Sequence, residues 1–286
     1  MRIKLFYQMM VMHFMKYKIQ GNPKFTVAKS KRAVNIKNCL LVFTLILISL
    51  PGKAQEPSKL DTITQTSQYP YDQVVYQEII RKRAFIFDRP YQSTGFFIAP
   101  NVILTAAHNL YSNKLTKVTE ITLFPGRYND STPYPPLTLK TERLWETNIF
   151  VHPNFSWNKS EYDFGIIIIP DSLINLQERW PVDIHFKLDE SFKMEINDSI
   201  EVAGFPASHG YDGSLMTHQK QKVFKLNKKT IPHALDTQTG NSGSPIWINK
   251  NGTHYIVGVH TYANLATRID TEYIVMINNW INAFTH

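Results

Sequence analysis

The sequence predicts an all-β fold. From Ala84 onward short apolar runs recur, turn residues punctuate them, and apolar residues take helical spacing only in the final segment. The first run is Phe85-Ile86-Phe87, and Gly95 to Ala99 and Val102 to Leu104 follow. Ile121-Thr122-Leu123-Phe124 stops at Pro125-Gly126, a turn signal. Ile166 to Ile169 is unbroken, the pattern of a strand buried on both faces, and Asp171 after Pro170 reads as a turn residue. Ile200-Glu201-Val202-Ala203 ends at Gly204. Lys220, Lys222 and Val223-Phe224 make a further strand whose lysines form a solvated face. Tyr273 to Ile281 reads as a terminal helix docked on the second half of the domain.

Charge separates the N-terminus from the rest. The 286 residues carry a formal charge of +8, which by itself suggests a polyanionic partner. Residues 1–54 hold ten Lys or Arg and no Asp or Glu, leaving 21 basic against 23 acidic residues beyond them, a net of −2. Nucleic-acid binding thereby loses its support. Leu40 to Ile48 is an apolar core with basic residues before it and Gly52-Lys53-Ala54 after it, so residues 1–54 read as a signal peptide cleaved between Ala54 and Gln55. The core is about a dozen residues, short of the roughly 20 of a spanning helix, so no stable membrane association is expected after cleavage. The long basic region before it suggests that translation starts at a later methionine such as Met15. Residues 55–80 are rich in Gln, Thr and Ser and read as a propeptide or N-terminal arm, ahead of a domain at 81–286. Cys39, the only cysteine, lies in the leader, so the mature chain forms no intramolecular disulfide. A domain of about 200 residues is large enough to be stable on its core alone. Neither a His-Glu-x-x-His pattern nor a cysteine pair marks a metal site, and no cofactor is expected.

Three short motifs carry the chemistry. Thr105-Ala106-Ala107-His108, Tyr162-Asp163-Phe164-Gly165 and Gly240-Asn241-Ser242-Gly243-Ser244-Pro245 occur in that order. A serine hydroxyl is a poor nucleophile unless an imidazole takes its proton, and the imidazole needs a carboxylate on its far nitrogen. His108, Asp163 and Ser242 fit those roles. Asp171, Asp198 and Asp212 also lie between His108 and Ser242, and the buried run after Phe164-Gly165 favours Asp163 as the rigidly held one. Gly240 lets the backbone turn so that its amide and that of Ser242 converge as an oxyanion hole.

On these residues the chain resembles the chymotrypsin-like serine peptidases, and within them the bacterial glutamyl endopeptidase branch. The resemblance runs roughly from Arg81 to the C-terminus. It is carried by Ser93 to His108, by Asp236-Thr237 ahead of Gly240 to Pro245, by Val257-Gly258-Val259-His260-Thr261 and by Thr267-Arg268-Ile269. It implies two packed antiparallel β-barrels with a C-terminal helix. It further implies that His260 and the Thr237 hydroxyl bind the carboxylate of a substrate glutamate, whose charge a histidine prefers to a neutral amide. The residues alone also allow His260 to be a polar residue ending its strand. Asn241 stands where trypsin-like zymogens carry an aspartate that pairs with a freed N-terminus, so the oxyanion turn should not depend on such a pair. The expectation is a secreted endopeptidase, extracellular or periplasmic and monomeric, acting on proteins or peptides after Glu or Asp. The alternatives are a non-catalytic binding protein on this fold and a serine peptidase of other specificity, for which Tyr262 could narrow the pocket.

Overall fold

The computed structural model describes residues 60–83, 86–111, 116–129, 131–140, 147–174, 180 and 183–284. The expected leader with Cys39, the cleavage point after Ala54 and Phe85 lie outside the described residues.

Strands buried on both faces feed two cores, because successive side chains point in opposite directions. In the first half β2 (Val74–Arg83), β3 (Ile86–Ala99), β4 (Val102–Thr105) and β8 (Gly165–Ile168) lie at the centre. With β5 (Thr116–Pro125), β6 (Leu137–Lys140) and β7 (Ile149–Val151) they make an antiparallel sheet in the order β6-β5-β2-β3-β4-β8-β7. Val75, Phe97, Ile103 and Ile167 fill the core within this sheet. Their neighbours Val74, Phe96, Leu104 and Ile166 belong to a second core shared with the other half.

The second half is built the same way. It contains β1 (Asp61–Thr62), β9 (Phe186–Lys187), β10 (Ser199–Gly204), β11 (Thr217–Lys222), β12 (Thr230–Pro232), β13 (Pro245–Lys250), β14 (Thr253–Tyr262) and β15 (Leu265–Arg268). The order is β1-β11-β10-β13-β14-β15-β12, antiparallel throughout, with β9 joined in parallel to β14. Ile200, Val202, Ile246 and Val257 form its own core, while Ala203, Trp247, Ile256 and Val259 join the shared one. Two curled antiparallel sheets therefore each enclose a core and press a third between them.

Three features differ from the sequence expectations. Leu60 is buried, Asp61 and Thr62 pair with His218 and Thr217, and β2 begins at Val74, so ordered sheet structure starts ahead of the expected boundary at Arg81. Asp171 opens a short helix, α2 (Asp171–Ile174), downstream of α1 (Ala107–Leu110). The terminal helix α3 (Thr271–Phe284) buries Tyr273, Ile274 and Ile277. It reaches across to the first half, where Trp280 stacks on Phe150 at 5.8 Å and Tyr273 lies 4.6 Å from Phe164. Among the described residues no helix is long and apolar enough to cross a membrane.

Candidate active site

His108 sits in α1, just after β4, and Asp163 lies two residues ahead of the first residue of β8. The two strands pair with Thr105 opposite Gly165, so both side chains emerge at one end of the sheet. Asp163 is fully buried and holds His108 twice: the backbone N–H donates to Oδ1 at 2.8 Å and ring Nδ1 donates to Oδ2 at 2.7 Å. That pairing places the ring proton on Nδ1 and leaves Nε2 as an acceptor. The Thr267 hydroxyl lies between the carbonyls of Ser160, at 2.6 Å, and Asp163, at 3.2 Å, and ties this turn to β15. The other acids lie elsewhere: Asp171 accepts from Asn101, Asp198 pairs with Lys250, and Asp212 accepts from the Ser214 amide.

Ser242 lies in the turn ahead of β13. Its hydroxyl donates to the Thr261 carbonyl at 3.3 Å, and among the described residues it makes no hydrogen bond to His108 Nε2. Its own carbonyl accepts from Thr94 N–H and Asn109 Nδ2, both at 2.9 Å, which ties the turn to β3 and α1. Gly240 has φ +97°, and a Cβ there would stand 2.3 Å from the Phe205 carbonyl, so no other residue fits this turn. Asn241 N–H is taken by Gln238 O and Gly243 N–H by His260 O. Among the described residues the amides of Gly240 and Ser242 carry no such bond, which leaves two donors beside the hydroxyl. The Asn241 side chain is buried and accepts from the Gln238 amide, a neutral contact.

His260 and Thr237 are not hydrogen-bonded to each other. The Thr237 hydroxyl donates to Ala263 O at 3.2 Å. The backbone of His260 brackets the serine turn, with its N–H donating to Ser244 O and its carbonyl accepting from Gly243 N–H. Its ring Nδ1 lies 3.2 Å from Nε2 of His233. Burial first, and then the neighbouring His233 and His108, push His260 well below the usual histidine range. Burial pushes His233 down to about 4.

Residues outside the three motifs also reach the site. The Tyr262 ring lies over His108 at 5.9 Å and 22°, and its hydroxyl donates to the Trp157 carbonyl at 3.1 Å. Trp157 is 55% exposed, and with Tyr262 it makes an aromatic wall beside the imidazole. Burial raises the Tyr91 phenol, and the nearby Ser242 side chain and Arg81 offset part of that. Arg81 lies over the Tyr91 ring at 4.8 Å and donates to the carbonyls of His108 and Asn109. Among the described residues no group of three His, Cys, Asp or Glu side chains could hold a metal ion.

Comparison with known proteins agrees with this architecture. The chain is 26% identical over 228 residues to an extracellular metalloprotease of Bacillus subtilis, covering 77% of this chain and 67% of the relative. It is 24% identical over 235 residues to a glutamyl endopeptidase of Bacillus licheniformis, covering 77% and 66%. A glutamyl endopeptidase of Staphylococcus aureus is 25% identical over 206 residues, covering 69% and 53%. The chain thus spans between half and two thirds of the length of these curated relatives. A solved Glu endopeptidase in complex with MPD superposes with a TM-score of 0.56 at 20% identity, over 79% of this chain and 96% of that one. The protease Anisep from Arthrobacter nicotinovorans gives 0.55 at 18% identity, over 75% and 96%. These two likenesses concern the fold, two curled antiparallel sheets with a C-terminal helix. The family pattern named Trypsin matches residues 80–281, most of the chain, and with the chymotrypsin-like architecture it settles the matter: the chain belongs to the trypsin family of serine peptidases.

Proposed function

We propose that this peptidase is a secreted endopeptidase that cleaves after glutamate, or aspartate, through an acyl-enzyme on Ser242. The reading rests above all on the double hold of Asp163 on His108, which leaves Nε2 free to act as a base. The Ser242 hydroxyl turns from Thr261 O toward Nε2 and passes its proton there as Oγ attacks the substrate carbonyl. Asp163 stabilises the imidazolium that forms. The amides of Gly240 and Ser242 receive the oxyanion, and His108 then protonates the leaving amine. Water, activated by the same imidazole, releases the acyl group. Thr237 and His260 receive the acidic side chain, in line with the resemblance to glutamyl endopeptidases. Residues 1–54 export the chain, which acts as a monomer on protein or peptide substrates outside the cytoplasm.

Matched peptides with Glu, Gln, Asp, Lys or Phe before the scissile bond test the whole reading. Glu cleavage is expected, with a loss of roughly a thousandfold or more in Ser242→Ala. Serine-dependent cleavage after another residue keeps the mechanism and rejects the pocket. No cleavage by purified secreted protein favours a binding protein, consistent with a hydroxyl bonded to Thr261 O and a tyrosine lying over His108.

A further inference from the structure

The proposed glutamate pocket contains a second histidine that no motif marks. His233 directly follows β12, and its N–H donates to Asn264 O at 3.1 Å. Ile231 of β12 pairs with Ala266 of β15, which pairs with His260 of β14, so the two histidines stand on either side of one short strand. Nε2 of His233 meets Nδ1 of His260 at 3.2 Å, with the rings 5.2 Å apart, and both residues are 2% exposed. A contact between two ring nitrogens requires that one donate and the other accept, so the pair shares a proton between the rings.

The charge environment of this pair is one-sided. The groups whose charge acts on His260 are His233 and His108, and both oppose a cation there. The carboxylate of Asp163 is already engaged by His108. Burial is the leading influence on His233 too. Without substrate the pair is therefore two neutral imidazoles and offers no fixed positive charge to an entering carboxylate. An unpaired carboxylate in a desolvated pocket is costly, and its arrival with a proton removes that cost.

We infer that His233 is a specificity-determining residue, forming with His260 a proton-accepting pair so that a substrate glutamate binds together with one proton. This rests on the glutamate pocket proposed above. The proton comes from solvent. In the occupied state His260 Nε2–H donates to the substrate carboxylate and Nδ1–H donates to His233 Nε2. His233 then carries its single ring proton on Nδ1, which is buried without a hydrogen-bond partner, although the Leu265 carbonyl is near enough to favour its protonation. His233 does not touch the substrate; it acts by making His260 able to take the proton.

The test compares kcat/KM for matched Glu and Gln peptides between pH 7 and 9 in the wild type and in His233→Leu, which fills the site but cannot accept from His260. Uptake of one proton with Glu alone makes the wild-type Glu-to-Gln ratio fall by about tenfold per pH unit above the titration of the occupied pair. In His233→Leu the ratio at pH 7 is expected to drop by about tenfold, with Gln cleavage changed less than about threefold. A ratio and pH slope identical to the wild type would overturn the inference while leaving the pocket in place. Absence of any Glu preference in the wild type would overturn the pocket itself and the inference with it. Calorimetry on the wild type avoids dependence on the variant's folding. A glutamate-terminated product peptide, titrated in buffers of low and high ionisation enthalpy, should take up close to one proton, and uptake near zero rejects the pair's role.

Discussion

Asn109 follows His108 in the chain and reaches back to the serine turn. Its Nδ2 donates to the Ser242 carbonyl at 2.9 Å and to Thr105 Oγ1 at 3.0 Å. Among the described residues, losing it leaves the Ser242 carbonyl with the Thr94 amide as its remaining donor and opens a void against Gly243, where a Cβ would lie 2.9 Å from Nδ2. Asn109→Ala is expected to lose about 1–3 kcal/mol of stability. It should also lower kcat roughly tenfold, with KM shifted less than about threefold, because the proposed nucleophile Ser242 moves while the proposed pocket stays. Denaturant unfolding and steady-state kinetics on one preparation check both, and an unchanged kcat would show that Thr94 alone holds the turn. His108, Asp163 and Ser242 were legible because each stands inside a short motif and their order is informative. Asn109, Tyr91 and His233 were not. Their meaning comes from partners far along the chain, 133 residues away for Asn109 and Ser242, and no local pattern encodes such a contact.

Strands were legible for a related reason of scale. Ile166 to Ile169 reads as a strand because its two faces serve two cores, so every position is apolar. Two-residue strands such as β1 and β9 are too short for any period to show. The polar texture of residues 55–80 points to an arm or propeptide, yet the described part is tied down mainly through its backbone, which composition does not reveal. Ile63 N–H donates to Met216 O, Leu60 N–H to the Tyr211 hydroxyl, and Tyr69 bonds His254. Leu60 is the apolar anchor of this strap, 1% exposed. Leu60→Ala should therefore cost about 2–5 kcal/mol, as expected for a leucine truncated in a packed site. Urea unfolding measures this directly. A loss below about 0.5 kcal/mol would mean that the strap unfolds independently of the sheets. Helix α3 teaches the same lesson from the other end of the chain. Its periodicity predicted a helix, whereas its contact with Phe150 and Phe164 depends on how the two halves meet.

At the scale of the molecule the two sheets are joined by the shared core, by α3 and by the strap between β1 and β2. The strap carries the least comfortable charge of these connections. Asp72 lies in its single turn of 3-10 helix, and its Oδ1 is buried without a partner. Burial raises its carboxyl from 3.8 to about 6, against the smaller opposing pull of His185 and two backbone amides. The folded state thus binds this proton more tightly than the unfolded chain. Asp72 stabilises the fold at low pH and loses that contribution as pH rises from about 4 through about 6. Glu201 has the opposite sign: burial raises it, but hydrogen bonds from His218 and Lys220 outweigh burial and hold it at about 2. Its contribution is present above 4.5 and fades as pH falls toward 2. Asp72→Asn, which removes the charge and keeps the shape, should therefore stabilise the protein at pH 8. Allowing for solvent screening of a part-exposed group, the gain is on the order of 1 kcal/mol, or about 2–4 °C in Tm for a domain of this size. At pH 4, where Asp72 is already protonated in the folded state, the variant and wild type should melt together. Thermal scans of both proteins at the two pH values decide the matter. A stabilisation of equal size at pH 4 and pH 8 would mean that packing, rather than the charge crossing between the sheets, limits the strap.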